Sequence, residues 1–227
     1  MKNDHLDVDR MREELLEAIS PHVPFDGWSE PAFRQAVADL GVDPGLARIV
    51  CPRGAIDLAV EYHRAADRAL ARALTTTIWP EGMRFRDKVA AAVAMRLDLV
   101  DPELVRRAAS VFALPQNTAT GAKLVWETAD VIWRALGDTA QDFGWYTKRL
   151  TLSGVISGSV LYWLGDESEG KADTRAFIEN RIDEVTRLEN IKGRITGLPG
   201  IKGLLGAIRA PGDRPMPGKT TRSAEGL

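Results

Sequence analysis

The stretch "AVADLGVDPGLARIVCPRGAIDLAV", residues 36–60, decides how this chain folds. A helix ends at Gly41, a turn carries Asp43-Pro44, a short helix follows to Val50, and Pro52 opens into a long helix. Glycine and the Asp-Pro pair punctuate two helical patterns here, which is the grammar of a helix-turn-helix.

The rest of the chain continues in the same period. Apolar residues recur at helical spacing, and convincing strand alternation is absent, so the fold class is all-α. Upstream, one helix runs from Asp7 to Ile19 and stops before Pro21. The next starts at Ser29, a good N-cap with Pro31 close behind, and ends at Gly41. Downstream, a long helix spans 54–78 with an inner stripe of Ile56, Ala59, His63, Ala66, Leu70 and Ala73. Helices follow over 85–99, 102–112, 118–136, 143–164 and 174–191. In the 118–136 segment, Ala122, Val125, Trp126, Ala129, Ile132, Trp133 and Leu136 form one face. A glycine-rich hinge, Gly193 to Gly197, leads to a short segment over 199–210. From Pro211 the Pro/Gly-rich end is expected to be disordered. Three regions result: 1–53 around the helix-turn-helix, a helical ligand-binding and dimerisation body over 54–191, and a tail over 192–227.

Charge bears on what the helix-turn-helix does. The segment resembles the N-terminal domain of TetR-type regulators, which implies a DNA-binding repressor with a ligand-binding body. Residues 1–60, however, carry six basic and eleven acidic groups, net −5. Duplex binding rests on neutralising phosphates, which this face repels. In the would-be recognition helix "GLARIVC", Arg48 is the lone strong donor, where base readout wants several. The expectation is a retained fold without DNA binding, with a ligand-responsive transcription regulator as the rival reading.

Catalytic patterns are sparse. His5, His22 and His63 lack metal-ligand spacing, and no phosphate loop or nucleophile elbow occurs. Cys51 sits in an apolar run and reads as core. A single cysteine excludes an internal disulfide framework and fits a reducing compartment. His63 falls on an apolar stripe, as a hydrogen-bonded core residue or a polar contact lining a pocket. No enzyme activity, metal or cofactor is expected. The N-terminus "MKNDHLDVDR" has no apolar secretory core, so the expected compartment is cytoplasmic.

The segment "LTLSGVISGSVLYWLG", residues 150–165, holds Gly154 and Gly158 one turn apart. Glycine costs a helix up to about 1 kcal/mol against alanine, so a close approach is expected there, by a helix, a subunit or a ligand. Leu152, Val155, Ile156, Leu161 and Trp163 can equally line an elongated apolar chamber. In the tail, Leu198, Ile201, Leu204, Leu205 and Ile208 share one helical face, with Lys202 and Arg209 opposite. Residues 191–222 carry seven basic groups and one acidic group, net +6. A basic amphipathic helix after a hinge suits an interfacial membrane anchor.

Trp145 and Tyr146 stand side by side between Asp142 and Lys148-Arg149. Adjacent helical positions point about 100° apart, so one core rarely takes both rings. The interface reading puts at least one ring at the surface under a partner. The alternative places Trp145 in the core with Leu152 and Ile156.

Three blocks carry a family resemblance: "DFGWYTKRLTLSGV" (142–155), "GWSEPAFRQAVADLGVDPGLARIVCPRGAIDLAVEYH" (27–63) and "FIENRIDEV" (177–185). They resemble the Coq-nine proteins of ubiquinone biosynthesis, lipid-binding accessory proteins with a TetR-like fold. The resemblance covers roughly residues 10–188. It implies a non-enzymatic homodimer that holds an isoprenoid quinone or its precursor. It also implies a C-terminal membrane helix and service to the di-iron hydroxylase that acts on demethoxyubiquinone. The implied docking residues are Asp142, Trp145, Tyr146, Ile132 and Trp133. The pocket that the sequence reading offers for it takes in His63, Leu152, Gly154, Val155, Ile156, Gly158 and Leu161. Mitochondrial members carry a presequence. Its absence here leads to the expectation of a bacterial member, peripheral on the inner face of the inner membrane.

Overall fold

A computed structural model of the chain describes residues 7–138 and 143–195. Among the described residues there are ten α-helices, one 3₁₀ turn and no strand. The helices are α1 Val8–Ile19, α2 Val23–Asp26, α3 Glu30–Leu40, α4 Pro44–Val50 and α5 Ala55–Thr76. They continue with α6 Phe85–Asp98, α7 Pro102–Phe112, α8 Thr118–Ala135, α9 Phe143–Gly165 and α10 Ala172–Ile195. The segment over 199–210 lies outside the described residues.

Local chemistry sets the ends. Asp7, Ser29, Asp43 and Asp101 each cap a helix with a side-chain oxygen that accepts a backbone N–H of the first turn. Gly41 closes α3 at φ 64°, the left-handed conformation that a side chain disfavours. Gly54 turns the chain into α5 at φ 58°, and a Cβ there would stand 2.8 Å from Nη1 of Arg48.

Two differences from the sequence reading concern helix extent. The four-residue α2 is absent from the sequence reading; Pro24 is tolerated in its first turn, and Val23 is fully buried. Gly193, where a hinge was expected, lies inside α10, which runs to Ile195. One glycine costs about 1 kcal/mol, which a 24-residue helix carries.

The helices bury two cores. The first gathers Leu15, Ile19, Trp28, Phe33, Ala47, Val50 and Cys51 with Leu58 and Ala59 of α5 and Leu104 of α7. Trp28 donates its indole N–H to the Leu104 carbonyl at 3.1 Å, tying the helix-turn-helix to the body. The second core joins α5, α6, α8, α9 and α10 through Leu70, Val93, Ile132, Leu152, Val155, Trp163 and Ile178. Asp166 links α9 to α10. Hydrogen bonds from Ser168 and Thr174 hold its carboxyl well below the usual range. Helix α5 thus belongs to both cores, and the space between them is where the body opens.

Candidate functional site

Helices α5 to α9 enclose a cavity of about 630 Å³, of the size that takes a small ligand. Its wall is almost wholly apolar: Val93 and Leu97 from α6, Val105 and Phe112 from α7, Leu124 and Trp126 from α8, Ile156 and Val160 from α9. The rim on α9 carries Leu150 and Leu161, both about two-thirds exposed.

Four of the seven residues expected in the pocket line this cavity: His63, Gly154, Ile156 and Leu161. The other three do not. Leu152 and Val155 are buried in the second core, and Gly158 faces Phe177 of α10. An α-helix offers only part of its circumference to one neighbour, so a run of apolar residues divides between cavity and core. The close-approach reading of the two glycines also changes. A Cβ on Gly154 would meet nothing within 4 Å, and one on Gly158 would make ordinary contact with Phe177 at 3.8 Å. Within the cavity wall the tight glycine is Gly121 on α8, where a Cβ would stand 2.9 Å from Cβ of Phe112.

Tyr62, Thr118, Ser153 and Ser157 also line the wall, and one buried polar cluster stands in it. His63 Nε2 lies 2.8 Å from Thr128 Oγ1, and Thr128 Oγ1 lies 2.9 and 3.0 Å from the two oxygens of Asp67. Arg96 donates from Nε to Asp67 at 2.7 Å and from Nη2 to the His63 carbonyl at 3.1 Å. Asp67, Arg96 and Thr128 are all buried. Burial lowers the His63 pKa to about 4, against the opposing pull of Asp67. His63 is therefore both hydrogen-bonded and cavity-lining, so the two readings of it coincide. Asp67, Arg96 and Thr128 escaped the sequence analysis, because partners 29 and 61 residues apart leave no local spacing. The available signal was a polar residue on the inner face of a long helix.

Cys51 is fully buried, and burial pushes its thiol up to about 11, so it holds no thiolate at neutral pH.

The second feature is an aromatic corner at the start of α9. Trp145 and Tyr146 meet edge to face with centroids 4.8 Å apart, and Trp126 stands 5.9 and 6.4 Å from them. Both rings are half-buried, so Trp145 does not lie wholly in the core. Trp126 also lines the cavity, which places the corner against the cavity wall. Arg149 is 1% exposed, and its Nε reaches Asp130 at 2.6 Å while Nη1 reaches Asp138 at 3.1 Å. It holds the corner from inside and offers no surface contact. Ile132 is fully buried in the second core, which removes it from any surface patch. Trp133 is half-buried, stacks on Phe85 at 5.6 Å and donates its indole N–H to the Lys148 carbonyl at 3.2 Å. Asp142 lies outside the described residues, as do Leu198, Ile201, Lys202, Leu204, Leu205, Ile208 and Arg209.

On the helix-turn-helix, the Arg48 guanidinium pairs with Glu30 and lies over the Phe33 ring, 4.8 Å from its centroid. Ile49 beside it is 71% exposed. The lone donor of α4 is thus engaged within the domain, next to an apolar side chain.

The COQ9 family model matches residues 118–189, which cover α8, α9 and most of α10. The chain is 29% identical over 196 residues to "Ubiquinone biosynthesis protein COQ9, mitochondrial" of Drosophila melanogaster, an alignment taking in 84% of this chain. It spans 60% of the length of that fly protein. Against the Homo sapiens protein of the same name, identity is 26% over 216 residues, covering 91% of this chain and 68% of the human one. Among solved structures, the TetR transcriptional regulator from Nitrosomonas europaea superposes with a TM-score of 0.61 at 16% identity. That match covers 78% of this chain and 98% of the regulator. The resemblance read from the sequence holds, and so does the all-α, TetR-like fold. At that identity the regulator speaks for architecture alone.

Proposed function

We propose that this chain is a COQ9-type accessory protein of ubiquinone biosynthesis. It takes an isoprenoid quinone or its precursor from the membrane, holds it in the helical body and presents it to the demethoxyubiquinone hydroxylase. It works as a homodimer and catalyses no reaction itself. The observation that carries this reading is the apolar cavity of about 630 Å³ between α5 and α9. The relatives' names supply the pathway.

The energetics favour presentation over storage. Burying apolar surface from water is worth about 0.8 kcal/mol per methylene. A polyprenyl tail starts in a bilayer that is already apolar, so entering the cavity gains little. The lipid can therefore leave again toward a partner. The half-buried aromatic corner of Trp145 and Tyr146 serves as the docking surface, since Trp and Tyr carry interface energy out of proportion to their number. Among the described residues no helix is long and apolar enough to cross a membrane. Membrane contact on this reading falls to the tail over 192–227, at the inner face of a bacterial inner membrane.

The test is mass spectrometry of lipids that co-purify with the protein, beside a duplex-shift assay at physiological salt. The reading expects isoprenoid lipid and no sequence-selective duplex. Absence of isoprenoid lipid together with a specific complex tighter than about micromolar would transfer the chain to the regulator class.

A further inference from the structure

The turn between α5 and α6 holds apolar side chains out of the body. The Met83 N–H donates to the Pro80 carbonyl at 3.1 Å, and Gly82 takes φ 75° in the third position, so Pro80–Met83 is a closed β-turn. Thr77 Oγ1 donates to the Ala73 carbonyl at 2.8 Å and secures the end of α5. Between these two ties Ile78 stands 94% exposed, although Leu74 one turn earlier is buried. Pro80 and Phe85 are exposed near it, and Trp79 and Met83 are half-buried. Phe85 stacks on Trp133 at 5.6 Å, which extends the patch to α8. Single apolar side chains on a surface are ordinary, whereas a group of them held by a structured turn marks a contact. Lys88 stands over the Trp79 ring at 6.0 Å and Lys148 over the Trp133 ring at 5.3 Å. Indoles beside lysines, with an aliphatic residue at the tip, suit the headgroup level of a bilayer.

The patch lies at the end of the body from which the tail departs. Arg86 of α6 pairs with Asp183 of α10 at 2.9 Å, and Asp98 pairs with Arg175 at 3.2 Å, so the two helices run antiparallel. Beyond Asp183, α10 continues to Ile195, about 18 Å past the start of α6. The basic segment 191–222 therefore begins on this side. Charge agrees with that orientation. Residues 77–88 carry Arg84, Arg86 and Lys88 against Glu81 and Asp87, net +1, whereas residues 1–60 carry net −5.

We propose that the α5–α6 turn is a second membrane contact, in which Ile78 enters an anionic bilayer interface with Trp79 and Phe85 at headgroup level. The inference rests on the reading of the tail as a membrane anchor and adds a contact of the folded body, which fixes the end that faces the bilayer. Glu81 at the tip stays hydrated among the headgroups, so the turn lies in the interface and does not enter the acyl core. A few apolar side chains alone bind a bilayer marginally, so the turn adds to the tail and does not replace it.

The test uses the full chain and vesicles of phosphatidylcholine and phosphatidylglycerol. Cys51 is the single cysteine of the chain and is fully buried, so an introduced surface cysteine takes a label alone. Ile78→Cys and, at the other end, Ile49→Cys are labelled with the environment-sensitive dye NBD; α5, 22 residues and about 33 Å long, separates the two ends. On vesicles the label at position 78 should shift to the blue and be quenched by a nitroxide carried near the headgroup. The label at position 49 should do neither. Without label, Ile78→Asp should bind the vesicles about fivefold more weakly, and Ile49→Asp should bind as the unaltered chain does. Both side chains are exposed, so neither substitution opens the core. A label at position 78 that stays in water on vesicles that sediment the protein overturns the proposal and leaves the turn to a protein partner. So does an Ile78→Asp protein with unchanged vesicle affinity, or an equal response from the two labels. Vesicles that sediment no protein at all defeat the membrane reading of the tail, and the turn with it. A silent label at position 78 on sedimenting vesicles leaves the tail reading standing.

Discussion

Arg149 lies against the indole of Trp145, its Cζ 4.0 Å from the ring centroid, and donates through Nη1 to the Trp145 carbonyl at 3.1 Å. The same guanidinium spans Asp130 and Asp138. A charge this deeply buried is stabilising only while its partners stay in place. Arg149→Met removes the bridge between two carboxylates that keep Arg134 and Lys148 as partners, and should cost about 2 kcal/mol in urea denaturation. Arg149→Lys should recover little, because a point charge cannot bridge two carboxylates as a planar fork does. A loss below about 1 kcal/mol for the Met variant would show the cluster to be incidental.

The proposed docking role of the corner is tested at Tyr146. Trp145 rests on the buried Arg149, so Trp145→Lys should unfold the start of α9 as well as abolish docking. Tyr146→Lys should weaken binding to the proposed hydroxylase partner by about 2 kcal/mol, a hot-spot magnitude, while circular dichroism shows a folded protein. Normal binding by a folded Tyr146→Lys protein would move the interface elsewhere.

The two glycines of α9 should respond oppositely. Open space around Gly154 lets Gly154→Ala collect the helix propensity of alanine, so stability should rise by up to about 1 kcal/mol. Gly158→Leu must displace Phe177, whose ring atoms stand 3.8 Å from the position of the new Cβ. It should cost about 1–3 kcal/mol, as overpacking does. Its lipid content should stay normal, since Gly158 does not line the cavity. Thermal melts with lipid analysis on the same samples decide between the two.

Acid should destabilise the fold through His63. Its pKa falls from 6.5 in the unfolded chain to about 4 in the folded one, so below pH 6.5 the unfolded state binds the extra proton. Stability from this group is intact above pH 6.5 and is lost progressively as pH drops toward 4, by up to about 3 kcal/mol. His63→Gln, which keeps an amide N–H for Thr128 and cannot titrate, should flatten that part of the profile. Urea midpoints between pH 4 and 7 measure it, and parallel profiles for the two proteins would contradict the assignment.

The tail can be tested by removal. Truncation after Gly197 deletes the apolar face formed by Leu198, Ile201, Leu204, Leu205 and Ile208. It also removes basic residues worth about 1 kcal/mol each near an anionic surface. Co-sedimentation with anionic vesicles should be lost and the helical content of the body retained. Unchanged co-sedimentation would place membrane contact in the body.

By itself, the sequence determined the helices, the helix-turn-helix and the family resemblance. Asp43, Ser29 and Gly41 act within four residues of themselves, and the stripe through Ala129 and Ile132 recurs at the helical period; both are signals of short range. Tertiary structure alone decided which face of α9 meets the cavity and which meets the core. Leu152 and Ile156 are one turn apart and equally apolar, yet only Ile156 reaches the cavity, because the placement of α6, α8 and α10 divides the helix. The same holds for the polar spot. Asp67, Arg96, Thr128 and His63 come from three helices, and their hydrogen bonds exist only once those helices pack. Arg149 shows why charge read along the chain misleads. A guanidinium four residues after Trp145 looks like a surface group, and only Asp130, Asp138 and the packing of α8 on α9 allow its burial.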